Sequence, residues 1–558
     1  MALKQEPIQA STLPGGIDVD QANVDKLHKN AIGLPGVLYF CLAGSAPVSA
    51  MLFNVPTMAS QAGAATPLVF LLSGIALLLL GASIVYFSRR LTSAGGFYTW
   101  VRHGLGKGMA FQSGWLMMGG YALFEASMLG GFGSYTNSSL ATYLHFQMPG
   151  GWVTYALIGA ALIFFLSYFD VKWSVYAMAP FMILEMGVLI VLDIAINIHG
   201  GASGHDVVHT FTAAGANLKN AAPGGILGIG VAMALGVWSW VGFEAGAVYG
   251  EEARNPRKAV PFAVFAVILI LTLLYTWTSY SATIGFGWLH SIDQLGNLTA
   301  TTPAFYQLAN TYTGGLLEAL MIIAISTSSL ACALAFHNGM AHYLYAMGRE
   351  GILGQVFGKT HPKYHSPNIA IITQTIFTLL VILFSAFILQ STRPNTSGAY
   401  SYSFGIGDGK NFTQIDGLAM YGWLAIIGTI AFVVVYITIN IAAPTFAIRH
   451  DRQNFRVFTH IIAPILSSLV LLIPLVSFIM PAIPGPIGSY FTGLGFASTP
   501  FPLNILPIFV VVWLIIGIVY ANYVARRAPE RYSAIGLMIR TDVHPEALET
   551  VVLASETV

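Results

Sequence analysis

Trp238-Ser239-Trp240-Val241-Gly242-Phe243-Glu244 interrupts an apolar segment that is otherwise long enough to cross a bilayer. Glycine weakens a helix by about 1 kcal/mol relative to alanine, and a carboxylate at mid-bilayer costs about 2.5 to 3.5 kcal/mol on insertion scales. A span that only anchors a protein has no use for either. A span that binds a solute or an ion does.

The surrounding composition fixes the environment. Of 558 residues 56% are apolar and 8% charged, and mean hydropathy is +0.71. A helix rises about 1.5 Å per residue against a hydrocarbon core of about 30 Å, so apolar runs of about twenty residues span it. Such runs lie at 34–60, 66–88, 107–143, 152–169, 173–198, 224–250, 260–286, 314–347, 368–389, 417–448, 458–480 and 502–525. The fold class expected is an all-α membrane protein with twelve transmembrane helices, embedded in the lipid bilayer of the cell membrane. The third, eighth and tenth spans exceed what a bilayer needs, which implies tilt or extension beyond it.

Basic residues set the orientation. In a twelve-span arrangement Arg89, Arg90, Arg102, Lys107, Lys172, Arg254, Arg257, Lys258, Arg349, Lys359, Lys363, Arg449, Arg452, Arg456, Arg526 and Arg527 fall on one side, against Lys219, Arg393 and Lys410 on the other. By the positive-inside rule both termini are cytosolic. Residues 1–33 lack the apolar core and cleavage site of a signal peptide and read as one cytosolic tail, with 526–558 as the other. The loops at 199–222, 287–313 and 390–416, rich in Gly, Ser, Thr and Asn, read as external solvated connectors. Asn411-Phe412-Thr413 matches a glycosylation acceptor.

The first span carries a second interruption, Gly44-Ser45-Ala46-Pro47-Val48-Ser49. Pro47 removes a backbone donor and its ring crowds the preceding turn. Backbone groups freed in this way are tolerated in a membrane only against protein or a hydrated cavity. The interruptions fall in spans one and six, five apart, which is the sequence pointer to a midplane binding site between inverted repeats.

Three motifs then bring the chain close to a known family. Ser93-Ala94-Gly95-Gly96-Phe97-Tyr98-Thr99-Trp100 follows the second span. Gly242-Phe243-Glu244 leads into Glu251-Glu252-Ala253-Arg254-Asn255-Pro256-Arg257-Lys258-Ala259-Val260-Pro261. Tyr345-Ala346-Met347-Gly348-Arg349-Glu350-Gly351-Ile352-Leu353 follows the eighth. In that order and on those spans they resemble the amino acid, polyamine and organocation transporter superfamily, over most of residues 34–525. The resemblance implies a five-plus-five inverted repeat, helices 1–5 at 34–198 and helices 6–10 at 224–448, with two added helices at 458–525. It also implies that the half-helix ends of spans one and six point backbone groups at the substrate, through Gly44, Ser45, Ala46, Pro47, Val48, Ser239 and Gly242. The first span departs from the family's Gly-Ser/Ala-Gly pattern, and Pro47 narrows the backbone approach. Amines and small organic solutes therefore stay open beside amino acids.

Intramembrane carboxylates are the next candidates, because each must repay its insertion penalty. Glu125 lies in the third span, Glu185 and Asp193 in the fifth, Glu244 in the sixth. No Lys or Arg sits at comparable depth, leaving protons, metal cations or a cationic substrate as compensating charge. The resemblance places Glu185 where relatives carry a proton-coupling lysine or bind sodium, Glu244 as a gate, Trp238 as an aromatic lid and cation–π partner, and Phe336 as a second aromatic of the site. It aligns Glu125 with a substrate-facing residue, where a carboxylate favours an ammonium group. Glu185 is taken as the coupling-proton site, with Ser326 and Ser329 in the eighth span as the rival, sodium-binding alternative. Asp193, near the external end, reads as a carboxyl that bridges helices.

Other features carry no chemistry. Cys41 and Cys332 lie in apolar runs and form no disulfide framework. His199, His205 and His209 match no metal signature, and no cofactor is implied. Gly130-Gly131-Phe132-Gly133 serves close helix packing, no Walker lysine follows any Gly-rich stretch, and nothing points to nucleic acid or an enzyme. The function expected is secondary active import of an amino acid or related amine with a proton. An exchanger and a sodium symporter are the alternatives, and a non-transporting sensor is the rival from another class.

Overall fold

The computed structural model describes residues 27–537 apart from 170, 220, 222–223, 298–301, 393–401, 405–411, 415–416, 482, 484 and 495–504, and adds the pairs Thr12–Leu13 and Ile17–Asp18. The helices follow the sequence pattern closely. In chain order the α-helices of five residues or more are α1 Leu34–Ser45, α2 Pro47–Ala62, α3 Thr66–Ser88, α4 Phe97–Leu105, α5 Lys107–Leu144, α6 Trp152–Tyr168, α7 Val171–His199, α8 Gly225–Trp238, α9 Pro256–Phe286, α10 Ala304–Thr313, α11 Gly315–Arg349, α12 Asn368–Ile388, α13 Gly417–His450, α14 Ala463–Ile479, α15 Pro486–Gly493, α16 Leu506–Arg527 and α17 Pro529–Ser533.

Both expected interruptions are present. Between α1 and α2, Ala46 turns left-handed at φ 43° and Pro47 opens the next helix, where its missing N–H is harmless. α8 ends at Trp238, Gly242 takes φ 110°, and the chain resumes as a 3-10 helix over Phe243–Gly250.

All three connectors hold more structure than their composition suggested, the one at 199–222 through the one-turn helix Val207–Thr210 and the 3-10 turn Ala213–Ala216. The loop at 287–313 contains α10, and the loop at 390–416 contains a small antiparallel sheet in which Leu389–Thr392 pairs with Tyr402–Phe404 and Phe412–Gln414. Arg393, Lys410 and Asn411 lie outside the described residues.

Helices α5, α11 and α13 form the centre, and α3 packs along α9. Glycine allows the approach: a Cβ on Gly120 would meet the Phe432 ring at 2.5 Å, and one on Gly428 the Phe124 ring at 2.4 Å. Gly130 and Gly133 lie equally close to the carbonyls of Gly417 and Trp152, so this glycine cluster serves helix packing as expected. Helix α16 turns Ile508, Phe509, Val511, Val512, Ile515 and Val519 outward. Such a face suits hydrocarbon.

The three sequence motifs meet at one end of the bundle. Arg349 reaches Glu251 through two nitrogens at 2.6 and 2.9 Å, and the Ala94 N–H donates to the same carboxylate at 3.0 Å. His342 Nε2 lies 2.7 Å from Glu252 Oε2, while Tyr98 and the Gly536 N–H both donate to Glu350. Burial works against the Glu251 charge, yet Arg349 and the Ala94 N–H hold its carboxyl below the usual range. A carboxyl shifted this way stabilises the fold above the unfolded carboxylate range, and its contribution fades as pH falls through the folded value. Arg349→Ala leaves Glu251 without its counter-charge and is expected to destabilise the protein by about 3 to 5 kcal/mol. The apparent melting temperature in detergent reads this. A drop no larger than that of an exposed Arg452→Ala control counts against a structural role for the pair.

Candidate functional site

Where the two broken helices meet, their backbones touch. A Cβ on Gly44 would lie 2.7 Å from the Gly242 carbonyl oxygen, and one on Gly242 would lie 2.3 Å from the Gly44 carbonyl. Side chains cross the same junction. Ser45 Oγ donates to the Trp240 carbonyl at 3.2 Å and Asn54 Nδ2 donates to Ser239 Oγ at 2.8 Å. Beside the junction a narrow cavity is lined by Gly44, Ser45, Ala46, Ser49, Ala50, Asn54, Phe124, Met128, Trp238, Ser239, Val241, Cys332, Phe336 and Tyr421. Trp238 leans on Tyr421 with centroids 5.1 Å apart, and Phe336 stacks on Phe124 at 4.8 Å. The cavity therefore has two aromatic pairs in its lining and a broken helix end from each interrupted span.

Of the residues singled out in the sequence, Gly44, Ser45, Ala46, Trp238, Ser239 and Phe336 line this cavity. Pro47, Val48 and Gly242 are not among its lining residues, although Gly242 packs against Gly44, which is. Beyond Ser49, Ala50 and Val241, which flank the expected breaks, the sequence reading missed Asn54, Met128, Phe124, Cys332 and Tyr421. Asn54 had a signal, being an amide inside an apolar span. The others are apolar or aromatic residues among many, and only packing selects them.

Glu125 differs from its expected position. Its neighbour Phe124 lines the cavity, but Glu125 is among the buried residues rather than the lining ones. Gln374 Nε2 of α12 donates to it, and His337 Nδ1 of α11 lies 3.0 Å from its Oε1 as a close contact rather than an aligned hydrogen bond. One residue along a helix turns a side chain by about 100°. Glu125 and His337 thus pair behind the Phe124–Phe336 stack. A search for Lys and Arg alone overlooked this histidine.

Glu244 is 1% exposed and fully engaged. Tyr121 Oη donates to Oε1 at 3.0 Å, while Tyr436 Oη and the Gly242 N–H donate to Oε2 at 2.8 and 3.0 Å. This carboxyl ties α5 and α13 to the break in the sixth span. Leaving a buried polar group without its partner costs about 1 to 3 kcal/mol, so Tyr436→Phe is expected to lower the apparent melting temperature in detergent. An unchanged melting temperature would contradict a structural role for this contact.

Glu185 is fully buried, and neither of its carboxyl oxygens has a hydrogen-bond partner among the described residues. The Val48 N–H at the start of α2 and the hydroxyl of Ser328 stand next to it, and Tyr39, Tyr275 and Cys332 surround it. Asp193 on the same helix accepts from Thr278 Oγ1 at 2.6 Å and so bridges α7 to α9. Ser329 Oγ faces Ser49 Oγ at 3.0 Å, whereas Ser326 Oγ turns to Thr136 of α5 at 3.4 Å. The two serines of the sodium alternative thus face different helices. His209 bonds Asp206, His205 meets Tyr280 and His199 packs on Tyr312, each with its own partner.

Comparison with known proteins agrees with this arrangement. The chain is 26% identical over 321 residues to the methylthioribose transporter of Bacillus subtilis, covering 55% of this chain and 65% of that protein. It is 24% identical to the branched-chain amino acid permease BcaP of the same organism, covering 56% of this chain and 66% of the relative. It is 22% identical to the low-affinity putrescine importer PlaP of Escherichia coli, covering 61% of this chain and 71% of the relative. The chain thus spans just under two thirds of the first two relatives' length. The model of the amino acid permease family matches residues 36–487, most of the chain, and with both broken helices and the three converging motifs in place, the protein belongs to that family.

Proposed function

We propose that the protein is a secondary active transporter that imports an amino acid or related amine by alternating access, driven by protons that bind at Glu185. The observation that carries this reading is Glu185 itself, a buried carboxyl without a hydrogen-bond partner beside the break in the first membrane span. A charge in that place is unfavourable, and a neutral carboxyl there is ready to release its proton when the surrounding helices move. Further support comes from relatives named for branched-chain amino acids and for putrescine, which bracket the substrate class. The packing of α3 on α9 and of α5 on α11 suits two five-helix halves at 34–198 and 224–448. In this reading the converged motifs at Arg349, Glu251 and His342 close the cytosolic end, and both termini are cytosolic.

Flux in liposomes tests the proposal. A symporter accumulates substrate when only a proton gradient is imposed, and one pH unit is worth about 1.36 kcal/mol, a tenfold ratio for one proton. An exchanger requires internal substrate, and a sodium symporter requires a sodium gradient. A sensor gives no flux under any of these conditions.

A further inference from the structure

The half-helix ends of a broken-helix carrier offer two kinds of backbone group: N–H donors that suit an anion and carbonyls that suit a cation. Every buried backbone donor must have a destination, so the donors can be followed one by one. At the start of α2, the Ala46 N–H bonds the Ala43 carbonyl and Pro47 has no N–H. The Val48 N–H stands beside Glu185, the Ser49 N–H reaches Ser328 Oγ at 3.4 Å, and the Ala50 N–H returns to Ala46. At the start of the 3-10 segment in the sixth span, the Gly242 N–H bonds Glu244 Oε2 at 3.0 Å. The Phe243 and Ala245 N–H groups bond the Trp240 and Gly242 carbonyls. Each positive helix end therefore already faces a carboxylate of the protein, Glu185 at one and Glu244 at the other.

The rest of the cavity has the opposite character. Helices α1 and α8 end there, bringing their negative carbonyl ends to the lining through Gly44, Ser45 and Ser239. The Gly44 carbonyl accepts from Cys332 Sγ and the Ser45 carbonyl from Tyr275 Oη. A carbonyl with one partner keeps a second lone pair, whereas an N–H donates once. The faces of Trp238, Tyr421 and Phe336 complete it, and among the described residues that line it there is no Lys, Arg or His. Aromatic faces and carbonyl ends attract a cation. A solute carboxylate entering here would find the Gly242 N–H already on Glu244, the Val48 N–H turned to Glu185, and no basic side chain among the described lining residues to hold it.

We infer that the cargo of this site is an organic amine without a carboxylate, bound as a monovalent or divalent ammonium against the aromatic wall. The inference rests on the transport reading above and narrows its substrate class.

Paired ligands test it with the full-length protein. Each pair is an amino acid and its decarboxylated amine: leucine with isopentylamine, phenylalanine with phenethylamine, ornithine with putrescine. Binding is followed by tryptophan fluorescence, with Trp238→Phe identifying the signal from the cavity. The expected result is that, in at least one pair, the amine binds tighter than its parent by about tenfold or more. Tighter binding of the amino acid in every pair, equal binding throughout, or no binding by any of the six overturns the inference. Flux separates this failure from failure of the transport reading. An amino acid that accumulates on a proton gradient, and ceases to do so in Glu185→Gln, sinks the amine assignment and leaves proton-coupled transport standing. Amines that bind but never accumulate do the reverse.

Discussion

Glu185→Gln is expected to abolish accumulation driven by a proton gradient while leaving equilibrium binding nearly intact. Glutamine keeps the size and polarity of a protonated glutamate but cannot release a proton. The carboxyl is fully buried between α7, the start of α2 and α11, outside the residues that line the cavity. On the proposed reading its loss removes the coupling ion without removing a substrate contact. With one pH unit imposed, the wild-type protein should approach a tenfold internal excess, since that unit is worth about 1.36 kcal/mol. The variant should settle at a ratio near one. Substrate affinity should shift by no more than about 0.5 kcal/mol, or about twofold. Counterflow with substrate on both sides should persist in the variant, because a permanently neutral group still permits exchange of loaded states. Accumulation by Glu185→Gln at the wild-type level would move the coupling site elsewhere.

Gly242→Ala is expected to have the other large effect, through geometry rather than charge. Gly242 sits at φ 110°, a region that L side chains rarely adopt, and its Cβ would meet the Gly44 carbonyl carbon and oxygen at 2.3 Å. Neither atom can yield, because both belong to the backbone of the opposing helix break. The variant must therefore separate the two broken spans and disturb the Ser45–Trp240 and Asn54–Ser239 bonds that join them. Strain at such a residue costs about 1 to 3 kcal/mol before the clash is counted. Uptake should fall at least about a hundredfold, the equivalent of about 2.7 kcal/mol, and detergent-solubilised protein should melt earlier. Gly230→Ala is the control. That glycine lies in the same span at ordinary φ, and the nearest atom to its Cβ is a side-chain methyl of Ile473 at 3.4 Å. Equal behaviour of the two variants would remove the helix junction from the mechanism.

Much of this architecture was legible in the chain because a bilayer simplifies the reading. Helix ends at Thr66, Ser88, Lys107, Trp152 and Asn368 fall on or within a residue of the hydropathy boundaries. An apolar run that ends at a basic loop has few other solutions in lipid. The breaks at Pro47 and Gly242 were equally readable, since proline lacks a donor and glycine tolerates positive φ whatever surrounds them. The site was legible only in part. Trp238, Ser239 and the Gly44–Ala46 turn line the cavity because the breaks themselves create it. Glu125 was drawn to the site by its charge, yet it pairs with His337 and Gln374 one helix face away.

By itself the sequence determined the membrane environment, the number and ends of the spans and the place where two of them break. These follow from local hydropathy and from the backbone chemistry of proline and glycine. Only the tertiary structure decided which polar groups meet: that Glu244 is held by Tyr121 and Tyr436, that Glu185 faces the start of α2 without a hydrogen-bond partner, and that Asn54 and Tyr421 belong to the cavity. The physical reason is the low dielectric of the interior. A buried polar group there must find a partner from whichever helix packs against it, and that choice depends on helix rotation and neighbour, which no periodicity along one chain segment records.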